Sequence, residues 1–359
     1  MTTDETAPEA NESPKRRTIK RVLGGGIGIA VIAATFVFIL PRIADYRDVW
    51  DVVKTLSWEN IAVLIGATVL NLATYAPPWM AALPRLRFRQ AFVVTQASTA
   101  STYVAPGGAA VGMALSFGVL RGWGFPAAAV SLAVAVTGVW NQLAMLGFPI
   151  VALALLTLAG GGDRTLEIVS LIGLAIFVVV VVGFAVGLGS ARLARRFGDL
   201  AARIVSWGKR LVRRKPVTWT GESFVEFRAQ TNRLLKRRWH VLTLATLAGQ
   251  LTVFVVLLAC LRVLGVTAGE VSLVEAFAAW ALARLLGSIP ITPGGLGIVE
   301  LGLTTALVGF GGNQPEVVAA VLIYRFLTMV PTLVIGLLAG ATWKRHRPRQ
   351  ATSDTAEQP

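Results

Sequence analysis

Residues that carry charge or bind metals are scarce in this sequence. Asp, Glu, Lys and Arg make up 15% of its 359 residues, against about 25% in a typical soluble domain. A single cysteine, Cys260, excludes an internal disulfide. Two histidines, His240 and His346, are too few for a Cys/His metal cluster or a His-based catalytic triad. We therefore expect no cofactor, no metal site and no enzymatic activity.

Apolar residues dominate instead. They make up 55% of the chain, the mean hydropathy is +0.66, and several stretches reach the roughly 20 residues that cross a bilayer. The net charge of +15 is concentrated in loops between these stretches, which favours an orientation signal over nucleic-acid binding. The pattern predicts an all-α polytopic membrane protein with about six full spans and two interrupted helical hairpins.

A Pro-Gly-Gly turn interrupts two of the apolar runs. The turns are Pro106-Gly107-Gly108, in the run 92–120, and Pro293-Gly294-Gly295, in the run 272–312. Proline lacks a backbone N–H and glycine leaves a helix easily, so each turn is predicted to join two half-helices too short to span alone. The prolines are 187 residues apart, about half the chain, and an Ala-Phe pair precedes each turn.

The basic clusters predict the domain order. We expect a disordered basic tail at 1–21, a transmembrane domain at 22–343 and a cytoplasmic tail at 344–359. Within the membrane domain, a first repeat of about 60–159 and a second of about 240–343 flank a basic connector at 191–239. Placing all basic clusters in the cytoplasm puts both termini there and makes the hairpins enter from opposite sides of the plasma membrane, as an inverted repeat. The connector either sets this topology alone or also binds anionic headgroups.

Ionisable residues inside the apolar runs mark a candidate substrate site. A charge in the bilayer costs about 2.5–3.5 kcal/mol or more, so such residues face a cavity or a partner. Arg284 and Arg325 are expected to bind a phosphate beside the N–H groups of the second turn, whereas Glu275 lies near the rim. Glu300 either pairs with an arginine or takes a proton during transport, and the alternative is a purely structural Arg–Glu pair. The predicted substrate-binding residues are Pro106, Gly107, Gly108, Asn141, Arg284, Thr292, Pro293, Gly294, Gly295, Gly297, Glu300 and Arg325.

The segment 283–300, ARLLGSIPITPGGLGIVE, resembles the signature of the lysylphosphatidylglycerol synthase transmembrane (flippase-like) family. The resemblance extends over about 22–343. Relatives such as bacterial multiple peptide resistance factors join this region to a soluble aminoacyltransferase domain, which we expect this chain to lack. The family often has an acidic residue just after the first turn. Here the position equivalent to Glu300, counted from the proline, is Met113.

These observations favour a translocase, or flippase, for an anionic or aminoacylated phospholipid or a polyprenyl-phosphate-linked lipid. One alternative is a membrane scaffold or partner subunit of a lipid- or envelope-modifying enzyme. Another is a small-anion transporter. The expected partners are membrane lipids, namely an anionic phospholipid or a lipid-linked headgroup, and an envelope-synthesis enzyme. No binding to nucleic acid is expected.

Overall fold

The computed structural model describes residues 54, 56–104, 108–161, 164–190, 192, 196, 199, 206, 221–288 and 293–342. Every regular element in these residues is helical, as the sequence predicts. The N-terminal tail, the apolar run at 22–40, most of the connector up to residue 220 and the C-terminal tail lie outside the described residues.

The described helices with defined bounds follow in chain order. They are α1 (Trp58–Thr74), α2 (Pro77–Ala82), α3 (Phe88–Val104), α4 (Gly108–Gly122), α5 (Ala127–Leu156), α6 (Arg164–Gly189), α7 (Gly221–Val263), α8 (Leu273–Gly287), α9 (Ile298–Gly309) and α10 (Gln314–Thr342). A π-helical turn, Thr157–Gly161, extends α5, and a 3₁₀ turn, Pro293–Gly295, precedes α9.

Four helices in this part of the chain are long and apolar enough to cross a membrane. They cover Trp58–Ala82, Ala127–Ala159, Val225–Val263 and Gln314–Gly340. Helices α4 and α9 are apolar but shorter than a bilayer-spanning helix. The chain is therefore a multi-pass membrane protein that also contains helices too short to cross on their own.

Helix ends fall where the sequence supplies capping groups. Ser57 Oγ accepts the Asn60 N–H at the start of α1. Ser272 and Glu275 cap α8 reciprocally, since each side chain accepts the backbone N–H of the other. Glu275, expected at the rim of a substrate site, thus serves as a helix cap.

The two interrupted segments are helical hairpins whose tips meet. In the first hairpin α3 packs against α4, and in the second α8 packs against α9. Helix α3 also lies along α10, and α8 lies along α5. A Cβ atom built on Gly294, at the second tip, would lie 3.2 Å from Tyr103 Cδ1, near the first tip. The tips of the two hairpins therefore lie side by side.

An aromatic cluster fixes α8 in the centre of the bundle. Phe277 and Trp280 of α8 pack against Phe148 of α5 and Phe254 of α7, with ring centres 5.2–5.9 Å apart. Trp280 is fully buried. Arg284 lies one helical turn after Trp280, so this apolar anchor sets the position of its side chain.

The ends of the bundle differ in charge. Helix α7 has 43 residues and is about 64 Å long, and it begins at Gly221, inside the predicted connector. Its N-terminal part packs near the ends of α2 and the start of α5. The exposed basic residues at this end are Arg85, Arg87, Arg89, Arg121, Arg233, Lys236, Arg237 and Arg238. At the C-terminal end of α7, Gly265 lies beside Glu316 in the first turn of α10, and Glu270 lies in the loop between α7 and α8.

Candidate functional site

The second Pro-Gly-Gly turn is built from glycines in a backbone conformation that other residues rarely adopt. Gly294 and Gly295 have φ values of 64° and 67°, and Gly297 follows at 83°. A Cβ atom on Gly295 would lie 3.0 Å from Val299 Cγ2 and 3.1 Å from Gly287 Cα. Glycine at 295 is therefore required both by its backbone angle and by the close approach of the two hairpin arms.

Glu300 and Arg325 form an ion pair that ties the second hairpin to α10. Arg325 Nε donates to Glu300 Oε1 at 2.5 Å, and the two side chains are only 13% and 8% exposed. Arg325 Nη2 also donates to the Gly294 carbonyl at 2.8 Å. The other carboxylate oxygen of Glu300 accepts the Gly297 N–H at 2.7 Å. The N-terminus of α9 therefore holds an anion that belongs to the chain itself.

Arg284 has no carboxylate partner among the described residues. Its Nη2 atom donates to Gln250 Oε1 at 2.6 Å, and its guanidinium carbon lies 5.5 Å from the centre of the Trp280 ring. Gln250 Nε2 donates in turn to Asn141 Oδ1, which links α8 through α7 to α5. A guanidinium has five N–H donors, and its hydrogen bonds to Gln250 and Tyr75 leave others available to a ligand. Arg284 is thus held in place, while no carboxylate in the described part of the chain neutralises its charge.

A small cavity of about 30 Å³ adjoins both arginines. Tyr75, Tyr103 and Tyr324 line it, close enough to Arg284 to interact with its charge. Gln96 also lines it, and its Oε1 atom is buried without a hydrogen-bond partner in the part of the chain that the structure describes. A polar space of this size suits one or two water molecules.

A much larger cavity, of about 1170 Å³, shares Arg284 and Arg325 with the small one. Its polar wall contains the α3 residues Thr95, Ser98, Thr99 and Thr102. Its apolar wall, from α5 and α6, includes Val134, Val139, Met145, Leu146, Val180 and Phe184. None of its described lining residues is acidic. Because pockets that bind drug-sized ligands measure about 300–1000 Å³, this space fits a polar headgroup together with part of a hydrocarbon chain.

Three hydroxyl groups of α3 that line the large cavity can accept hydrogen bonds from a ligand but have no proton left to donate. Thr95 Oγ1 donates to the Ala91 carbonyl at 2.7 Å, and Ser98 Oγ and Thr102 Oγ1 donate to the carbonyls of Thr95 and Ser98 at 3.0 Å. Each hydroxyl has one proton, so these three use theirs within the helix. Their oxygen lone pairs remain for donors on a ligand.

The structure brings half of the predicted substrate-binding residues to the wall of the large cavity. These are Gly108, Asn141, Arg284, Gly294, Gly295 and Arg325. Next to the cavity, the Gly297 N–H donates a hydrogen bond to Glu300. Pro293 begins the 3₁₀ turn. Pro106, Gly107 and Thr292 lie outside the described residues. The sequence predicts that Glu300 pairs with either Arg284 or Arg325, and in the structure it pairs with Arg325.

Sequence reasoning did not identify three of the residues that line the two cavities. Gln250 is a polar residue inside the apolar run of α7, a signal like the one that marked Arg284, and it was overlooked. Tyr103 precedes the first turn and Tyr324 precedes Arg325, but tyrosine is common in apolar helices and carries no such signal. Only the packing of α3, α8 and α10 shows that these side chains meet.

The helices define a multi-pass integral membrane protein, and its large cavity is lined by Arg284 and Arg325. The chain belongs to the family described as Lysylphosphatidylglycerol synthase TM region, which it matches over residues 26–336. No curated protein matches the chain.

Proposed function

We propose that the protein is a carrier that moves an anionic lipid across the membrane. The observation that carries this proposal is the charge of Arg284, which no described carboxylate neutralises, in the wall of a cavity of about 1170 Å³. An anion is the ligand that a desolvated guanidinium with free donors favours, and phosphate accepts such donors in pairs. The apolar wall from α5 and α6 suits the hydrocarbon part of the same molecule. Both an aminoacylated phospholipid and a polyprenyl-phosphate-linked lipid have this combination.

The proposal includes an inverted repeat, which the register of the helices supports. Helix α4 ends at Gly122 and α9 at Gly309, and the next positive-φ glycines are Gly124 and Gly311. Helix α5 then begins at Ala127 and α10 at Gln314. Each pair is separated by the same 187 residues as the two prolines. Paired halves that approach a central site from opposite ends are typical of alternating-access carriers.

We further propose that the basic end of the bundle lies in the cytoplasm, in the plasma membrane of the cell. Lys and Arg are enriched in the cytoplasmic loops of membrane proteins, and Arg87 and Arg237 are among the exposed basic residues at this end. Glu270 and Glu316 lie at the other end, which would face outward. The N- and C-terminal tails would then both be cytoplasmic.

The test is lipid translocation by the purified protein in proteoliposomes. Arg284→Gln removes the free cation, and the loss of a charge-assisted contact of about 1.5–3 kcal/mol should weaken headgroup binding roughly tenfold to a hundredfold. Arg121→Gln is the matched control, because Arg121 is exposed at the end of α4 and donates to the Phe125 carbonyl. Fluorescent phosphatidylglycerol is the probe, and thermal melting in detergent checks folding.

The outcomes separate the proposal from its alternatives. Loss of translocation in Arg284→Gln, with normal melting and an active Arg121→Gln protein, supports the carrier. If the folded Arg284→Gln protein translocates lipid at the parental rate, the lipid headgroup does not bind at Arg284. If the parent protein moves chloride or phosphate but no lipid, it is a small-anion transporter. If it moves neither, the scaffold role replaces the carrier.

A further inference from the structure

The two halves of the protein differ at one pair of positions beside the central site. In the second half, the Glu300–Arg325 ion pair joins α9 to α10. Counting back 187 residues, the separation shared by the helix ends, gives Met113 on α4 and Gly138 on α5. The first half therefore has a methionine and a glycine where the second half has an acid and a base.

These two residues border open space. Met113 is 50% exposed, and both Met113 and Gly138 line the large cavity. A Cβ atom built on Gly138 would have no atom within 4 Å. In the second half the corresponding space is filled by a carboxylate and a guanidinium that also bond to the backbone of the turn. The large cavity thus reaches Met113 and Gly138 between α4 and α5, whereas an ion pair joins α9 to α10 at the matching positions.

We infer that the lipid passes through the first half of the protein, between α4 and α5, and that Gly138 sets the width of this passage. The inference rests on the proposed carrier function and adds a location to it. The gap leads from the polar wall of α3, with Ser98 and Thr102, to the apolar surface that Val180 and Phe184 of α6 provide. A headgroup in this gap contacts hydroxyl oxygens while its hydrocarbon chain contacts apolar side chains. The second half, closed by its ion pair, provides the fixed wall that holds Arg284.

A matched pair of glycine substitutions tests the passage. Gly138→Leu puts a side chain into the cavity, whereas Gly118→Leu adds the same side chain on the exposed surface of α4. Neither added Cβ atom meets a neighbour within 4 Å, so both proteins should fold. We expect Gly138→Leu to reduce translocation of fluorescent phosphatidylglycerol to the protein-free rate and Gly118→Leu to retain the parental rate. Equal rates in both folded variants would overturn the passage.

Transplanting the ion pair is the second test. Met113→Glu and Gly138→Arg together should close the first half as Glu300 and Arg325 close the second, and the double variant should melt at or above the temperature of either single variant. Translocation should be lost in the folded double variant. If the folded double variant translocates lipid at the parental rate, the lipid does not pass between α4 and α5.

The carrier function itself is tested separately, by comparison with Arg284→Gln. If Arg284→Gln abolishes translocation while Gly138→Leu and the double variant remain active, only the passage is wrong. If the parent protein translocates no lipid, the carrier function and the passage inferred from it are both wrong.

Discussion

Arg284 donates to the amide oxygen of Gln250 at 2.6 Å, whereas Arg325 donates to the carboxylate of Glu300 at 2.5 Å. The two arginines lie on the same cavities, yet among the described residues only Arg325 has a carboxylate that balances its charge. An amide orients a guanidinium without neutralising it. We infer from this contrast that Arg325 stabilises the turn of the second hairpin and that Arg284 is the arginine available to bind an anionic ligand.

Replacing Gln250 by glutamate should therefore switch off anion binding with little change in shape. The new carboxylate would pair with Arg284 and compete with a lipid phosphate. We expect affinity for phosphatidylglycerol-containing vesicles to fall by about tenfold or more, since hydrogen bonds to charged groups contribute about 1.5–3 kcal/mol. The melting temperature should stay within a few degrees of the parent. Unchanged binding by folded Gln250→Glu would show that the ligand does not use Arg284.

Glu300→Gln should destabilise the protein because it leaves the Arg325 charge buried and unpaired. Breaking a buried pair from one side typically costs about 3–5 kcal/mol. The Arg325→Gln variant should lose a similar amount, and the double variant should lose less than the sum of the two. Chemical denaturation in detergent micelles measures all three. Additive losses would mean that the two side chains do not interact in the folded protein.

The sequence predicts the parts of the site that depend on local chemistry. Proline and glycine break a helix by their own backbone properties, so the two turns could be located without a structure. A charge in an apolar run similarly marked Arg284, Glu300 and Arg325. Which arginine pairs with Glu300 could not be predicted, because it depends on how α8 and α10 pack around the turn.

The start of α7 is not evident from the sequence either, because basic composition does not show whether a segment is helical. The sequence up to residue 239 is rich in Lys and Arg, which predicts a basic connector at 191–239, and the described helix begins inside this segment, at Gly221. Long basic side chains can extend from a helix into water while their stems cover apolar surface. Leu234 and Leu235 do pack against a buried cluster while Arg237 and Arg238 are exposed. A basic segment is therefore compatible with a packed helix.

Gly295→Ala should disrupt the second hairpin. The substitution forces a residue with a Cβ atom to adopt a φ of 67° and brings that atom to 3.1 Å from Gly287 Cα. We expect a loss of about 1–3 kcal/mol in stability, measured as a lower melting temperature. Gly118→Ala is the control, since Gly118 lies inside α4 with open space around it, and alanine is the better helix former there. Equal melting of the two variants would contradict the close contact between the hairpin arms.

Cysteine labelling should establish the orientation of the bundle. The native Cys260 is buried, so an impermeant thiol reagent should leave it unmodified in intact cells. Gly269→Cys adds an exposed thiol in the loop between α7 and α8, and Arg87→Cys adds one between α2 and α3, at the basic end. With the basic end in the cytoplasm, only Gly269→Cys should react from outside, and Arg87→Cys should react only after the membrane is made permeable. Labelling of Arg87→Cys in intact cells would show that the basic end faces the outside and that the protein has the opposite orientation. Because α7 connects the two ends, the two hairpins would then exchange their sides of entry, and Arg284 would remain at the centre of the bundle.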